Sequence, residues 1–327
     1  MSWKVNLIKH AMVGLFPSKV QEIIRNTKRR FSPHQVPQHI IDWTVENAIY
    51  QVEMVKKAGV NPKAKRYLEL GPGWYPVVPF MFHLAGASSV IIIDKHRLMD
   101  DYTFSKTAAF LLQKKELICK RLSLDIEHVE RTLNTLKNLS VEDGMNYICG
   151  SYLAPVDILD SKLEKNSIDI ITSRAVLEHI SPTEVSLIFH EFKRIIKKDG
   201  VMHHIIDNSD HWQHDDPKIS KLNFLKYGNG VYSLIKKAHP QQYMNRLRHK
   251  QYIVMLESAG FKISSDDSKP DEKALDELNS LSVHKQFKNF TNEELAIITS
   301  FITVKPALPT SIIPLSSFSQ SSKLAYA

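Results

Sequence analysis

Apolar and polar positions alternate along this chain with two different periods. From Val36 to Ala58 the apolar residues Ile40, Ile41, Val45, Ala48, Ile49, Val52 and Val55 fall three and four apart, which predicts a long amphipathic helix ended by Gly59. Short apolar runs follow at Tyr67 to Leu70 and Ser89 to Ile93, too short for helices and bounded by turn residues, so both read as buried strands. Between them lies the Gly71-Pro-Gly73 turn, then a helix expected to start near Trp74 to Val77 with Pro76 in its first turn. Phe104 to Leu139 reads helical, with Leu122, Ile126, Val129, Leu133 and Leu136 on one face, and Met145 to Cys149 reads as a third strand. Ile168 to Thr172 is a fourth strand. Ser181-Pro-Thr-Glu184 starts a helix that Val185 to Ile196 continues, and Lys197-Lys-Asp-Gly200 gives a basic last turn and a glycine stop. Val201 to Ile206 is a fifth strand. Residues 212–250 break the alternation. Helix resumes at Arg246 to Ala259, and Phe261 to Ile263 is strand. The capping box Thr291-x-x-Glu294 opens a last helix before a strand around Phe301 to Val304. Strands alternating with helices predict an α/β fold with helices on both faces of a mostly parallel, seven-stranded sheet.

The first strand, turn and second strand carry a chemistry. Gly71 and Gly73 leave the main chain bare where it must turn sharply and where a ligand can touch it. Asp94 ends the second strand 23 residues after Gly71, the separation at which a carboxylate meets a ribose diol. A dinucleotide fingerprint would place a third glycine where Pro76 stands, so a pyrophosphate cofactor is disfavoured. S-adenosylmethionine presents one carboxylate and one ammonium instead, and tolerates the Trp-Tyr-Pro continuation. The polar segment after the fourth strand, Ser173-Arg-Ala-Val-Leu-Glu-His-Ile180, falls where ligands gather at strand ends.

With Val176-Leu-Glu-His-Ile180, the His204 to His211 stretch, Leu153-Ala-Pro-Val-Asp157, Asn223-Phe-Leu-Lys-Tyr227 and Asn245-Arg-Leu-Arg248 in order, residues 36–305 resemble the class I S-adenosylmethionine-dependent methyltransferases, in a bacterial branch. That resemblance implies a Rossmann-like fold and S-adenosyl-L-methionine as cofactor. It makes Glu69, Gly71 and Gly73 the methionine-side contacts, Asp94 the ribose contact, and Asp157 an adenine-side or loop-positioning acid, with Ser173 also on the cofactor side. Tyr75 stands where the family's motif commonly has a third glycine. Glu178-His179 is similar to the pair of Mg²⁺-assisted relatives, but Ala175 replaces their other glutamate. One carboxylate and one imidazole are thin for a hard cation, so no metal is expected.

Methyl transfer is a displacement in which the protein mainly aligns the partners, and a base helps when the acceptor must lose a proton. His211 is the candidate base, with Asp207 or Asp210 orienting its ring; the same residues can equally cap a helix or tie a loop. His203 and His204 lie within the strand, one expected to face the core and the other a helix. Arg174 and Glu178 are candidates for the acceptor pocket, Glu178 alternatively capping a helix end. Arg246 and Arg248 either hold an anionic acceptor or form surface ion pairs. The aromatic insert 212–250, with Trp212, Phe224, Tyr227 and Tyr232, is the expected substrate lid.

Bulk properties bound these readings. The 327 residues, 43% hydrophobic, suffice for one large core. Residues 1–35 form a basic extension in which Lys19, Arg25, Lys28, Arg29 and Arg30 flank Val20, Ile23 and Ile24, either a solvated helix or one with weak membrane-surface contact. The serine-rich 306–327 is a flexible tail. Apolar runs are too short to cross a bilayer and the start is a poor signal peptide, so a cytoplasmic location is expected. Cys119 and Cys149 are expected to be reduced, buried thiols. The acceptor is expected to be a small molecule or glycan precursor modified at oxygen or nitrogen. A net charge of +8 without an appended RNA-binding module predicts no stable nucleic-acid complex. An RNA methyltransferase and a non-catalytic cofactor-binding subunit remain the alternatives.

Overall fold

The computed structural model describes residues 38–238 and 243–307, together with the isolated Val20. The basic stretch around Val20, the first two residues of the expected opening helix and the serine-rich tail beyond residue 307 lie outside the described residues, as do residues 239–242 of the insert.

Apart from Val20, the described residues begin with α1 (Gln38–Lys57), which Gly59 closes at φ +85°. Strand β1 (Arg66–Leu70), α2 (Val77–Leu84) and β2 (Ser89–Ile93) follow. Pro76 stands just before α2 as its cap residue, rather than inside the first turn. The stretch read as one helical region is three helices, α3 (Asp101–Gln113), α4 (Lys115–Leu122) and α5 (Ile126–Leu136), because Lys114 has non-helical backbone angles and Ser123 turns left-handed.

The third strand is displaced from its expected position. Met145 belongs instead to α6 (Val141–Tyr147), which Ser140 caps by accepting from the Asp143 N–H, and β3 is Gly150–Leu153. Between them Cys149 has φ +50° and lies exposed, and Cys119 is half-buried, so neither is the buried thiol expected.

Strand β4 (Ile168–Arg174) leads to α7 (Pro182–Ile195), begun by a complete Ser181/Glu184 capping box. The helix does not stop at Gly200. Ile196 turns extended and β5 (Ile196–Asp207) begins at once, with Gly200 inside the strand. A Cβ there would sit 2.9 Å from the Asp169 carbonyl and 2.6 Å from Ile196 Cγ1, so this glycine permits close packing instead of ending a helix.

The insert contains the short α8 (Trp212–Asp215) and α9 (Asn229–Ala238). After it come α10 (His249–Ser258), β6 (Phe261–Asp266), α11 (Glu272–Leu278), which the apolar spacing does not announce, α12 (Asn292–Ala296) and β7 (Thr299–Pro306).

The seven strands form one sheet in the order β3-β2-β1-β4-β5-β7-β6. The first five strands pair parallel, and β7 enters antiparallel between β5 and β6. Successive strand residues go to opposite faces. Tyr67, Val90, Ile92, Ile170 and Val201 pack with α1 to α6, whereas Leu68, Ile91, Ile93, Ile171 and Met202 pack with α7 and α10. With both faces covered, each fully buried aliphatic side chain contributes about 1.5–3 kcal/mol. A third cluster joins Trp212, Phe224 and Tyr232 of the insert to Ala274, Phe287 and Leu295, so these aromatics are core residues of the insert. No helix among the described residues is long and apolar enough to cross a membrane.

Candidate active site

The carboxyl ends of β1, β2, β4 and β5 converge on one rim. At β1, Gly71 and Gly73 have φ of +69° and +67°, conformations that suit glycine. The two glycines face different surroundings. A Cβ on Gly71 would meet Val176 Cγ2 at 2.6 Å, while one on Gly73 would meet nothing within 4 Å. Open space therefore lies beside Gly73. Asp94 adjoins it, 9% exposed, its carboxylate accepting from the His96 N–H at 2.9 Å and from the Gly73 N–H. Burial raises its pKa, and these two bonds oppose that rise.

Glu69 is 1% exposed and accepts from the hydroxyls of Tyr67 and Thr172. Burial pushes it up to about 7, the two hydroxyls and the Arg174 charge acting against the shift. Asp157 is not buried with them. It caps the turn at Leu159 and pairs with Lys95 at 3.0 Å, which also pairs with Glu184 at 3.2 Å. Ser173 turns its hydroxyl toward His204 Nδ1 at 2.8 Å, and its carbonyl accepts from Gln51.

After β4, Ala175 takes φ +53° and swings the chain so that Val176 covers Gly71 and a single turn presents Glu178 and His179. Asn245 pins this turn. Its side-chain amide donates to the carbonyls of Leu177 at 2.8 Å and Ile180 at 2.9 Å, and its backbone N–H donates to that of Glu178 at 2.7 Å. Glu178 is 1% exposed, and neither carboxylate oxygen completes a hydrogen bond of ordinary geometry. Burial, with the Asp207 charge adding, pushes it up to about 8, although the backbone N–H groups of Glu178 and Asp207 and the charge of His211 favour its ionised form.

His211 lies 3.2 Å from Asp207 and packs its ring 4.9 Å from that of His179. Burial alone would lower the His211 pKa, but Asp207, Glu178 and Asp210 together raise it. Asp207 is pushed up by burial yet held below the usual carboxylate range by His211 and Ser209. One donor atom each from Glu178, His179 and His211 lies within 4.8 Å of the others. His211 adds a third donor to the Glu178-His179 pair, one that only the fold brings near. Arg174 stands between the glycine turn and this cluster, over the Trp43 ring at 5.2 Å and within reach of the charges of Glu69 and Glu178.

The remaining candidates have other duties. The Arg246 guanidinium donates to the Tyr227 carbonyl at 2.5 Å and to Asn229 at 2.7 Å, and lies 3.8 Å from the Tyr232 ring, so it braces the insert from within. Tyr227 is half-buried against the same cluster. Arg248 is fully buried, donating to the carbonyls of Asn208, Leu295 and Ile297 at 2.8, 2.9 and 3.0 Å, and forms no surface ion pair. His203 and His204 are both fully buried, each lowered to about 3 by burial, and each sets its Nδ1 against a hydroxyl, that of Thr303 at 2.9 Å and that of Ser173 at 2.8 Å. Asp210 caps Trp212 and accepts from Asn223 at 3.2 Å. No role was expected from the sequence for Val176, His179 or Asn245, although all three stand in the stretches that carry the resemblance, because the contacts that give them their roles join residues far apart in the chain.

Residues 109–203, from within α3 into β5, match a family described as a methyltransferase domain; the match includes the Glu178-His179 turn and not the glycine turn. No curated protein matches the chain. Among solved structures, a geranyl diphosphate methyltransferase in complex with SAM is similar at 11% identity and TM-score 0.45, over 80% of this chain and 85% of that one. An S-adenosylmethionine-dependent methyltransferase from Mesorhizobium loti is similar at 13% identity and TM-score 0.41, over 77% and 96%. A SAM-dependent methyltransferase from Methanosarcina mazei is similar at 14% identity and TM-score 0.40, over 75% and 94%. At these scores the three likenesses carry no weight in the assignment. Residues 109–203 thus carry a methyltransferase domain signature, and the seven-stranded sheet is the one expected of class I S-adenosylmethionine-dependent methyltransferases, whose cofactor is S-adenosyl-L-methionine. The bare turn at Gly73 and the carboxylate of Asp94 beside it fit that cofactor.

Proposed function

We propose that this enzyme methylates an oxygen or nitrogen of a small molecule or glycan precursor, with the acceptor bound over the rim formed by Arg174, Glu178, His179, Asp207 and His211. The observation that carries this reading is the gathering of acid and imidazole groups, Glu178 buried, Asp207 and His211 half-buried and His179 exposed, at the ends of β4 and β5, with β4 next to the strand that leads into the glycine turn.

The cofactor supplies a methyl carbon made electrophilic by its sulfonium. The protein has to hold the acceptor in line and receive its proton. Gly71, Gly73 and Asp94 bind the cofactor in this reading, with Glu69, Ser173 and Asp157 supporting the strand ends and rim around it. His211, steadied by Asp207 at 3.2 Å, takes the proton of an acceptor hydroxyl or acidic N–H. Arg174 neutralises charge between the two halves of the site. The insert 212–250 covers the acceptor, with Arg246 and Tyr227 acting through its internal packing.

Calorimetry with S-adenosylhomocysteine, followed by transfer of labelled methyl to a metabolite extract, tests the proposal. Label should enter a low-molecular-weight fraction, and His211→Ala should lower turnover with cofactor affinity unchanged. Label appearing only in RNA would refute the acceptor class, and unchanged turnover in the variant would remove the base.

A further inference from the structure

We propose that Glu178, His179 and His211 bind a divalent transition-metal ion at this rim. Their donor atoms lie within 4.8 Å of one another, a spacing from which one ion bound at ~2.0–2.2 Å could draw all three together.

A second and independent observation is the state of Glu178, 1% exposed with neither oxygen completing a side-chain hydrogen bond or a backbone one of ordinary geometry, although the N–H groups of Glu178 and Asp207 lie close to it. A buried carboxylate in that condition is costly unless a cation or donors compensate it. Arg174 acts on it through charge without closing a hydrogen bond to it. The surroundings also suit ligation. His179 Nδ1 faces the Tyr243 carbonyl at 2.8 Å, which fixes the N–H on that nitrogen and leaves the Nε2 lone pair for a ligand. Asp207, 3.2 Å from His211, is the outer carboxylate that commonly orients a ligating imidazole. Asn245 holds the turn that carries two of the three donors.

Two imidazoles and one carboxylate suit Zn²⁺, Fe²⁺ or Mn²⁺ better than Mg²⁺ or Ca²⁺, which favour mostly oxygen donors. Three protein ligands leave coordination positions open to an acceptor oxygen. Only the catalytic consequence rests on reading this rim as the acceptor site: there a cation would lower the pKa of the acceptor hydroxyl enough for its proton to pass to solvent water, with His211 then a ligand in place of the base.

The test uses the untagged full-length protein, stripped with a chelator and titrated with ZnCl₂ and MnCl₂ by calorimetry, with metal content read by mass spectrometry. We expect one Zn²⁺ per chain. Glu178→Gln and His179→Ala should each weaken binding by at least about tenfold, with circular dichroism and S-adenosylhomocysteine affinity unchanged. A zinc-soaked crystal should give an anomalous peak between the three side chains. Failure of both ions to bind the parent protein, or equal Zn²⁺ affinity in folded variants, would overturn the site. The labelled-methyl experiment reads the acceptor independently, so a failure there leaves the metal result standing, and the converse holds.

Discussion

Alanine at Gly71 and at Gly73 should produce opposite phenotypes, although the residues are two apart and share the same backbone region. An L residue in the left-handed region costs about 1–2 kcal/mol at either position. At Gly71 the new Cβ would also sit 2.6 Å from Val176 Cγ2 and 3.0 Å from its Cγ1, overpacking that adds about 1–3 kcal/mol. Gly71→Ala is therefore expected to lose roughly 2–5 kcal/mol, a large part of the ~5–15 kcal/mol that holds a typical protein folded. At Gly73 the Cβ meets no protein atom within 4 Å, so the stability loss stays at about 1–2 kcal/mol. The methyl group instead enters the space assigned to the cofactor, and affinity for S-adenosylhomocysteine should fall by at least about tenfold, or ~1.4 kcal/mol. Urea unfolding and calorimetry read the two effects separately. Adding Val176→Ala to Gly71→Ala should relieve the steric part and leave the backbone part, giving a coupling of about 1–3 kcal/mol in a double-mutant cycle. An unshifted unfolding midpoint for Gly71→Ala, or native cofactor affinity in Gly73→Ala, would refute the reasoning.

Three further outcomes follow from the same geometry. Asp94→Asn should keep the fold by circular dichroism yet lose about 10–100-fold in S-adenosylhomocysteine affinity, since a hydrogen bond to a charged group is worth about 1.5–3 kcal/mol; native affinity would rule out the ribose role. Arg248→Met should destabilise by about 3–5 kcal/mol in urea because three carbonyls lose their donor, whereas a change below about 1 kcal/mol would show that the strut is dispensable. Asp169 gives a pH signature. Burial works to raise its pKa, but Lys197 at 2.8 Å, the Arg66 N–H at 2.9 Å and Lys65 hold it below the usual value. Its contribution is thus fully present above the unfolded carboxylate's pKa of about 4 and lost as pH falls through the lower folded value. Asp169→Asn should flatten that part of the acid limb of stability, and an identical limb in the variant would exclude the linkage.

What the sequence made legible was periodic or local. Ser89 to Ile93 and the carboxylate after it are where the apolar run put them, because a strand buried on both faces leaves an unbroken signature. The Ser181 and Thr291 capping boxes were equally readable, being complete within four residues. Met145 to Cys149 misled because a short apolar run does not distinguish helix from strand, and Ser140, whose capping decides it, lies five residues upstream of Met145. Gly200 misled for a different reason: the atoms that require a glycine there, Asp169 O among them, come from a neighbouring strand. The same holds for the site. Asp94 announces itself, while the meeting of His211 with Glu178 and His179 depends on β4 and β5 ending side by side. Arg246 and Arg248 look like anion ligands in a line of text, and only their carbonyl partners reveal them as braces.

The Asn245 clasp has an architectural consequence. The chain leaving the insert re-enters the body of the domain at the residue that fixes the Glu178-His179 turn, so roof and foundation meet at one amide. The contacts of Asn245 are made to the Glu178-His179 turn itself, so they do not depend on the length of the chain between Trp212 and Met244. The turn that presents Glu178 and His179 is thus fixed by a single side chain from far along the chain, and its position is set independently of the loop that precedes that residue.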